Sequence, residues 1–215
     1  MKIGVLGTGI VGTTIASKLV QLGNDVKMGA RDAGNSKAVA WTKSNGARAS
    51  EGSYADAAAF GELLFNCTSG TGSMPALEAA GAGNLGSKVL VDISNPLDFS
   101  KGPPPSLTVC NTDSLAEQIQ RAYPSLKVVK ALNTMTAAIM VEPSLIKGDH
   151  QVFMCGNDSG AKNKVKELLT AGFGWQQVLD LGDLTAARGQ EMLLPFWVRV
   201  YGALQSPMFN FQIAR

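Results

Sequence analysis

Lys2-Ile3-Gly4-Val5-Leu6-Gly7-Thr8-Gly9-Ile10-Val11-Gly12 opens the chain, and with its continuation to Arg31 it decides the fold. Lys2–Leu6 is a short apolar run that reads as a buried strand. Ile10–Leu22 carries apolar residues at 11, 15, 16, 19, 20 and 22, the spacing of an amphipathic helix. Gly23-Asn24 then stops that helix, and Asp25–Met28 starts a second strand. Gly7-Thr8-Gly9-Ile10-Val11-Gly12 fits G-x-G-x-x-G, a weak pattern alone in a chain with 24 glycines. Placed after a strand and opening a helix, it has the context a dinucleotide requires. Gly7 permits the tight turn, Gly9 lets a pyrophosphate approach the backbone, and Gly12 lets the helix pack closely. The helix N-terminus offers free N–H groups and a partial positive charge to the anion. The competing reading is a turn in an α/β protein that binds nothing.

The end of the second strand selects the cofactor. An acidic residue there accepts a bond from the ribose 2′-OH of NAD, but this chain has Met28-Gly29-Ala30-Arg31-Asp32. Small residues leave room for a 2′-phosphate, and the Arg31 guanidinium can bind it through two charge-assisted bonds. Lys37 adds charge nearby. The reading is therefore NADP(H), with Asp32 as the cap of the next helix.

Outward from that unit, short apolar runs alternate with amphipathic segments. Ser36–Ser44 reads as helix and Ala47–Ala49 as a weak strand. Gly61–Cys67 reads as strand, followed by a loop over Thr68–Ser73 and a small helix from Pro75. Strands are expected at Lys88–Ile93, Leu126–Leu132, Gln151–Cys155 and Gln177–Leu181. Helices are expected at Ser114–Tyr123 and Ala161–Ala171, and an irregular loop at Asp98–Leu107 around Pro103-Pro104-Pro105. The last segment, Leu184–Gln205, is helical in period, with a kink expected at Pro195. The fold class is α/β: a Rossmann-type, doubly wound, mostly parallel sheet with a C-terminal helical extension. The division is residues 1–183 as the nucleotide-binding domain and residues 184–215 as the extension, which packs on that domain or on a dimer partner. Phe196, Trp197, Tyr201, Phe209 and Phe211 crowd the tail and need a cover, which favours a homodimer.

Composition limits the partners. A 215-residue chain can bury a core without metals or disulfides, and 45% apolar against 17% charged residues excludes a disordered chain. A formal charge of +2 with no basic run argues against nucleic acid. No uncharged stretch is long and apolar enough to span a membrane, and the N-terminus has no signal-peptide pattern, so a cytoplasmic location is expected. Cys67, Cys110 and Cys155 are unclustered and read as buried thiols in a reducing compartment. A single histidine leaves no room for a histidine-based metal site or triad. His150 reads as a surface residue.

Ligands of a doubly wound sheet lie outside the carboxyl ends of its strands. Thr68 and Ser69, Ser94-Asn95-Pro96, and Asn133-Thr134-Met135 stand there, small and neutral. The first two groups suit the nicotinamide end of the cofactor, and the third suits the substrate side. No paired carboxylates or Ser–His arrangement accompanies them, and no metal is expected. Lys130, inside a strand, is either a proton donor or a structural lysine, and Asp92 orders its own loop.

The Gly7–Gly12 loop, Gly29-Ala30-Arg31-Asp32, Ser94-Asn95-Pro96 and Val128-Val129-Lys130-Ala131-Leu132-Asn133-Thr134 resemble the NADP oxidoreductases that use coenzyme F420, a deazaflavin. They also resemble the nucleotide-binding domain of the related membrane metalloreductases. The likeness runs through most of the chain, including Ala187-Arg188-Gly189-Gln190-Glu191, with Leu132 where an aromatic is common. It implies that Thr8, Ile10, Val11 and Arg31 contact NADP, and that a second ring stacks on nicotinamide near Asn95 and Asn133. Hydride transfer between two rings needs alignment and exclusion of water more than a catalytic side chain. The expected function is NADPH-dependent hydride transfer to coenzyme F420 or a flavin. The alternatives are a reductase of a small carbonyl or imine using Lys130, and an NADP(H)-sensing module without turnover.

Overall fold

The computed structural model describes residues 1–214. In chain order the elements are β1 (Lys2–Leu6), α1 (Ile10–Gln21), β2 (Asp25–Ala30), α2 (Ser36–Asn45), β3 (Ala49–Ser53), α3 (Tyr54–Phe60), β4 (Leu63–Asn66), α4 (Gly70–Ala80), α5 (Ala82–Leu85) and β5 (Val89–Asp92). A two-stranded ribbon, β6 (Leu97–Asp98) with β7 (Ser106–Leu107), comes next. The chain continues through α6 (Leu115–Ala122), β8 (Lys127–Ala131), α7 (Ala137–Val141), β9 (Val152–Gly156), α8 (Ser159–Glu167), β10 (Val178–Asp180) and α9 (Ala187–Leu204).

The main sheet runs β3-β2-β1-β4-β5-β8-β9-β10. Its first six strands are parallel, β9 is antiparallel to β8, and β10 is parallel to β9. The strand order turns back at β1, which lies between β2 and β4 and opens the crevice at their carboxyl ends. Helices cover both faces, which is why the inner strands are apolar without alternation. Ile3 and Val5 face one core cluster with Ile15, Leu19, Phe65 and Val129; Leu6 faces the other with Leu64, Leu77, Leu90 and Ile119. Each such side chain, fully buried, contributes about 1.5–3 kcal/mol.

Several sequence expectations are corrected. The third strand starts at Ala49, where Ala47–Ala49 was expected, because Gly46–Arg48 forms a tight turn; α3 follows it at once, capped by Ser53 and Asp56. α4 starts at Gly70 instead of Pro75, so Thr68–Ser73 is only partly loop. The expected irregular loop is pinched at its base by the ribbon pairs Leu97↔Leu107 and Asp98↔Ser106. Asn35, and not Asp32, caps α2, accepting from the N–H groups of Lys37 and Ala38 at 3.1 and 3.3 Å. His150 is buried: its Nε2 pairs with the Pro143 carbonyl and its Nδ1 with the Asn210 amide, and its ring meets Trp175 edge-on. Cys110 is exposed. The C-terminal helix starts at Ala187, after a single tight turn over Leu184–Ala186, and includes Pro195. No helix among the described residues is long and apolar enough to cross a membrane.

Candidate functional site

The turn after β1 is built as its glycines require. Gly7 has φ +120°, and a Cβ there would stand 2.7 Å from the Cys67 carbonyl oxygen. A Cβ on Gly12 would overlap the Gly7 carbonyl oxygen, so α1 can approach its own strand only without one. Gly9 differs. Its φ is −77°, allowed to any residue, and a Cβ there would meet no protein atom within 4 Å. Folding does not demand this glycine, so the space above it is available to a ligand. Gly9 caps α1 without a side-chain bond, and no acidic residue lies in the first turn, leaving the helix N-terminus open to an anion.

Two adjoining hollows lie over this turn. One, about 480 Å³, is lined by Gly7, Thr8, Gly9, Arg31 and Tyr54, together with Cys67–Ser69 and residues along α4 from Thr71 to Ala79. The other, about 270 Å³, holds Val11, Ile93, Ser94, Asn95, Leu97 and Phe99, and shares Cys67, Thr68, Ser69 and Thr71 with the first. Arg31 is the sole charged residue lining either hollow, and among the described residues it makes no ion pair. A roomier hollow of about 640 Å³, between Arg121, Lys127 and Asp158, includes the start of β8, at the amino end of the parallel strands. It lies away from the glycine turn.

No carboxylate lines the hollow at the end of β2; Asp32 is exposed, and Glu51 Oε2 accepts from the Gly34 N–H at 2.9 Å. A side chain on Gly29 would meet the Cβ of Ala57 at 2.8 Å, and Ala30 is buried. Tyr54, across the hollow from the glycine turn, was not singled out by the sequence, because it opens a helix the periodicity does not reveal. Burial raises its phenol above the usual value, against the opposing charge of Arg31. Burial, reinforced by the Asp92 charge, also pushes the Cys67 thiol upward, so it stays protonated and unreactive.

Of the residues expected at the cofactor, Gly7, Thr8, Gly9, Val11, Arg31, Thr68, Ser69, Ser94 and Asn95 line the hollows. Ile10 is 79% exposed and lines neither hollow, while Gly12, Ala30 and Pro96 are buried. Lys37 is exposed in the first turn of α2 and lines neither hollow. Asn133, Thr134 and Met135, expected on the substrate side, are buried behind the crevice, because the chain enters the loop to α7 through the core. Asn133 reaches the site through Asn95: each donates its amide to the other's oxygen, Asn95 Nδ2 to the Asn133 carbonyl and Asn133 Nδ2 to Asn95 Oδ1, both at 2.9 Å. Leu132, just before it, has φ +65°.

A polar network stands behind the loops. Asn66 donates to Asp92 Oδ1 at 2.9 Å and Ser73 at 3.1 Å; Thr68 donates to Asn66 Oδ1 at 2.7 Å. Asp92 accepts from the Ser94 hydroxyl at 2.7 Å, ordering its loop as the sequence suggested. Lys130 is fully buried among Asp92, Glu191 and the Ser94 carbonyl. That arrangement of two carboxylates about a lysine was not expected, since Glu191 arrives from α9. Arg188, one turn earlier, grips Glu117 of α6 through two bonds of 2.6 and 2.9 Å.

Among known proteins, the family described as NADP oxidoreductase, coenzyme F420-dependent, matches residues 2–96. A crystal structure of a candidate F420-dependent NADP reductase from Arthrobacter sp. FB24 is 53% identical, covers 100% of both chains and superposes with a TM-score of 0.95. Metalloreductase STEAP3 of Rattus norvegicus is 32% identical over 204 residues, 91% of this chain. The chain spans 38% of that relative's length. A reductive aminase from Aspergillus terreus, solved with NADPH4, cyclohexanone and allyl amine, is 18% identical over 95% of this chain and 62% of its own, with a TM-score of 0.66, and shares the fold.

Proposed function

The chain belongs to the family of coenzyme F420-dependent NADP oxidoreductases, and on that premise we propose that it transfers a hydride between NADP(H) and a deazaflavin or flavin ring. The observation that carries this reading is the lining of the crevice, where Arg31 is the sole charged group and no acid or base stands beside the nicotinamide end. NADP(H) supplies the hydride chemistry when bound. The residues present fit it: an open space over Gly9, an α1 N-terminus with no side-chain cap bond, and a guanidinium that makes no ion pair among the described residues, where a 2′-phosphate would extend.

In this reading the α1 N-terminus and Thr8 hold the pyrophosphate, and Arg31, with Lys37 nearby, holds the 2′-phosphate. Thr68, Ser69, Ser94 and Asn95 hold the nicotinamide end. Val11, Ile93, Leu97 and Phe99 give the acceptor an apolar, water-excluding wall. Reduction of a carbonyl or imine is less well supported, because it needs a proton donor beside the nicotinamide end: Lys130 is fully buried, and the Tyr54 phenol lines the other hollow, with Arg31. We further propose a homodimer formed through the exposed face of α9, where Phe196 and Leu204 are each 57% exposed. The experiment is stopped-flow oxidation of NADPH by coenzyme F420, free flavins, quinones and simple imines. Rapid oxidation by a ring acceptor is expected. Oxidation by imines alone, or by nothing while NADPH still binds, would replace this reading with the reductase or the sensing module.

A further inference from the structure

Lys130 lies in β8 directly beside Asp92 of β5, its partner in the parallel register, and its side chain has no exposure. Its Nζ stands 2.8 Å from Asp92 Oδ2 and 2.9 Å from Glu191 Oε1, and donates a third bond to the Ser94 carbonyl. An ammonium has three protons, and all three are committed. Burial alone would favour the neutral amine, but the charges of Asp92 and Glu191 outweigh it and hold the group protonated. Each partner is tied onward. Glu191 also accepts from the N–H groups of Leu115 and Ala116 at 2.8 and 3.2 Å, joining α9 to the start of α6. Ser94 and Asn95, which line the smaller hollow, form the loop whose carbonyl Lys130 grips.

We propose that Lys130 is a positioning residue, not a proton donor: with Glu191 it locks the Ser94–Asn95 loop against α9 and so sets the plane in which the two rings meet. The inference rests on the hydride-transfer reading above. Lys130 bonds only Asp92, Glu191 and the Ser94 carbonyl, and makes no bond to the Gly7–Gly9 turn or Arg31, which carry the pyrophosphate and adenosine ends. Loosening the loop should therefore leave nucleotide binding and impair the chemical step, since a displacement of about 1 Å can cost up to about 100-fold.

The test uses Lys130→Met and Glu191→Gln in the full chain, with NADPH affinity, single-turnover hydride transfer against pH, and the side-chain amide resonances of Asn95 and Asn133. Expected are NADPH affinity within about threefold of the parent, hydride transfer slowed about 10- to 100-fold in Lys130→Met and severalfold in Glu191→Gln, and an unchanged pH profile. The Asn95 and Asn133 resonances should shift in both variants. An unchanged hydride step, unmoved amide resonances, or an ionisation lost from the pH profile would overturn the proposal. Should Lys130→Met fail to fold, Glu191→Gln decides on the same readouts. A parent protein that reduces no acceptor would refute the hydride-transfer reading, and the amide resonances would still decide whether Lys130 holds this loop.

Discussion

Alanine at Gly9 and alanine at Gly12 should fail in opposite ways, although both change one motif. At Gly9 the backbone has φ −77° and ψ −178°, and the added methyl meets nothing within 4 Å. The folding cost is the loss of a favourable helix cap, at most about 1 kcal/mol, or roughly 2–4 °C in Tm for a chain of this size. The methyl does fill the space through which a diphosphate would reach the α1 N–H groups. Losing one charge-assisted bond of about 1.5–3 kcal/mol weakens NADPH binding about 10- to 150-fold. At Gly12 the methyl would overlap the Gly7 carbonyl oxygen. That contact is backbone against backbone and cannot be relieved by a rotamer change, so the cost is about 1–3 kcal/mol or more. Thermal melts without ligand and calorimetric titration with NADPH separate the two. Wild-type affinity in Gly9→Ala would mean that no diphosphate lies over this turn. A Tm as low as that of Gly12→Ala would mean that Gly9 serves folding after all.

Arg31→Ala should weaken NADPH by at least about 10-fold, since each of its two charge-assisted bonds is worth about 1.5–3 kcal/mol, while NADH binding barely changes; equal losses for both would refute the 2′-phosphate assignment. Asp113 is held down at about 2, chiefly by its hydrogen bond from Arg121. Its folded pKa is below the unfolded one, so its stabilisation is full above about pH 4 and is lost as pH falls toward 2. Asp113→Asn should therefore flatten the acid limb of the stability curve in that window, slightly, because the pair faces solvent; superimposable limbs would dismiss the pair. In sedimentation the parent should run as a dimer at micromolar concentration and Phe196→Glu/Leu204→Glu as a monomer. A monomeric parent would reject the α9 interface.

What was legible in the sequence follows from how local each signal is. The first strand–turn–helix unit could be read residue by residue because its glycines, cap and periodicity all lie within one short segment. α3 was missed because Tyr54–Phe60 is alanine-rich and brief, with little apolar contrast, although Ser53 and Asp56 form a capping box that could have announced it. The start of α4 was missed because Pro75 looked like a first helical residue, whereas it sits in the middle of the element. The aromatic tail was read as needing a cover. Much of it covers itself: Trp197 stacks on Tyr201 and Phe209 at 5.7 and 5.2 Å, and Phe196 on Phe211 at 5.9 Å.

The substrate side was the least legible part, and the reason is the direction of side chains, not their chemistry. Asn133, Thr134 and Met135 follow a strand end, as site residues do, but strand ends also turn inward, and only the path of the loop decides. Lys130 and Asp92 carried a usable signal that periodicity ignores. Both are single charges near the carboxyl ends of apolar runs, KVLVDI and LKVVKAL, in strands that must be buried on both faces. A buried charge without a partner is too costly to persist, so opposite charges at matching depth in neighbouring parallel strands predict each other. Glu191 could not be reached that way, since it comes from a helix 61 residues beyond Lys130 (191 − 130). Its place follows only from the packing of α9 on α6. That packing makes the C-terminal helix part of the crevice's foundation, and the same physical cause, two carboxylates needing one buried ammonium, explains both why Lys130 is there and why all three of its protons are already committed.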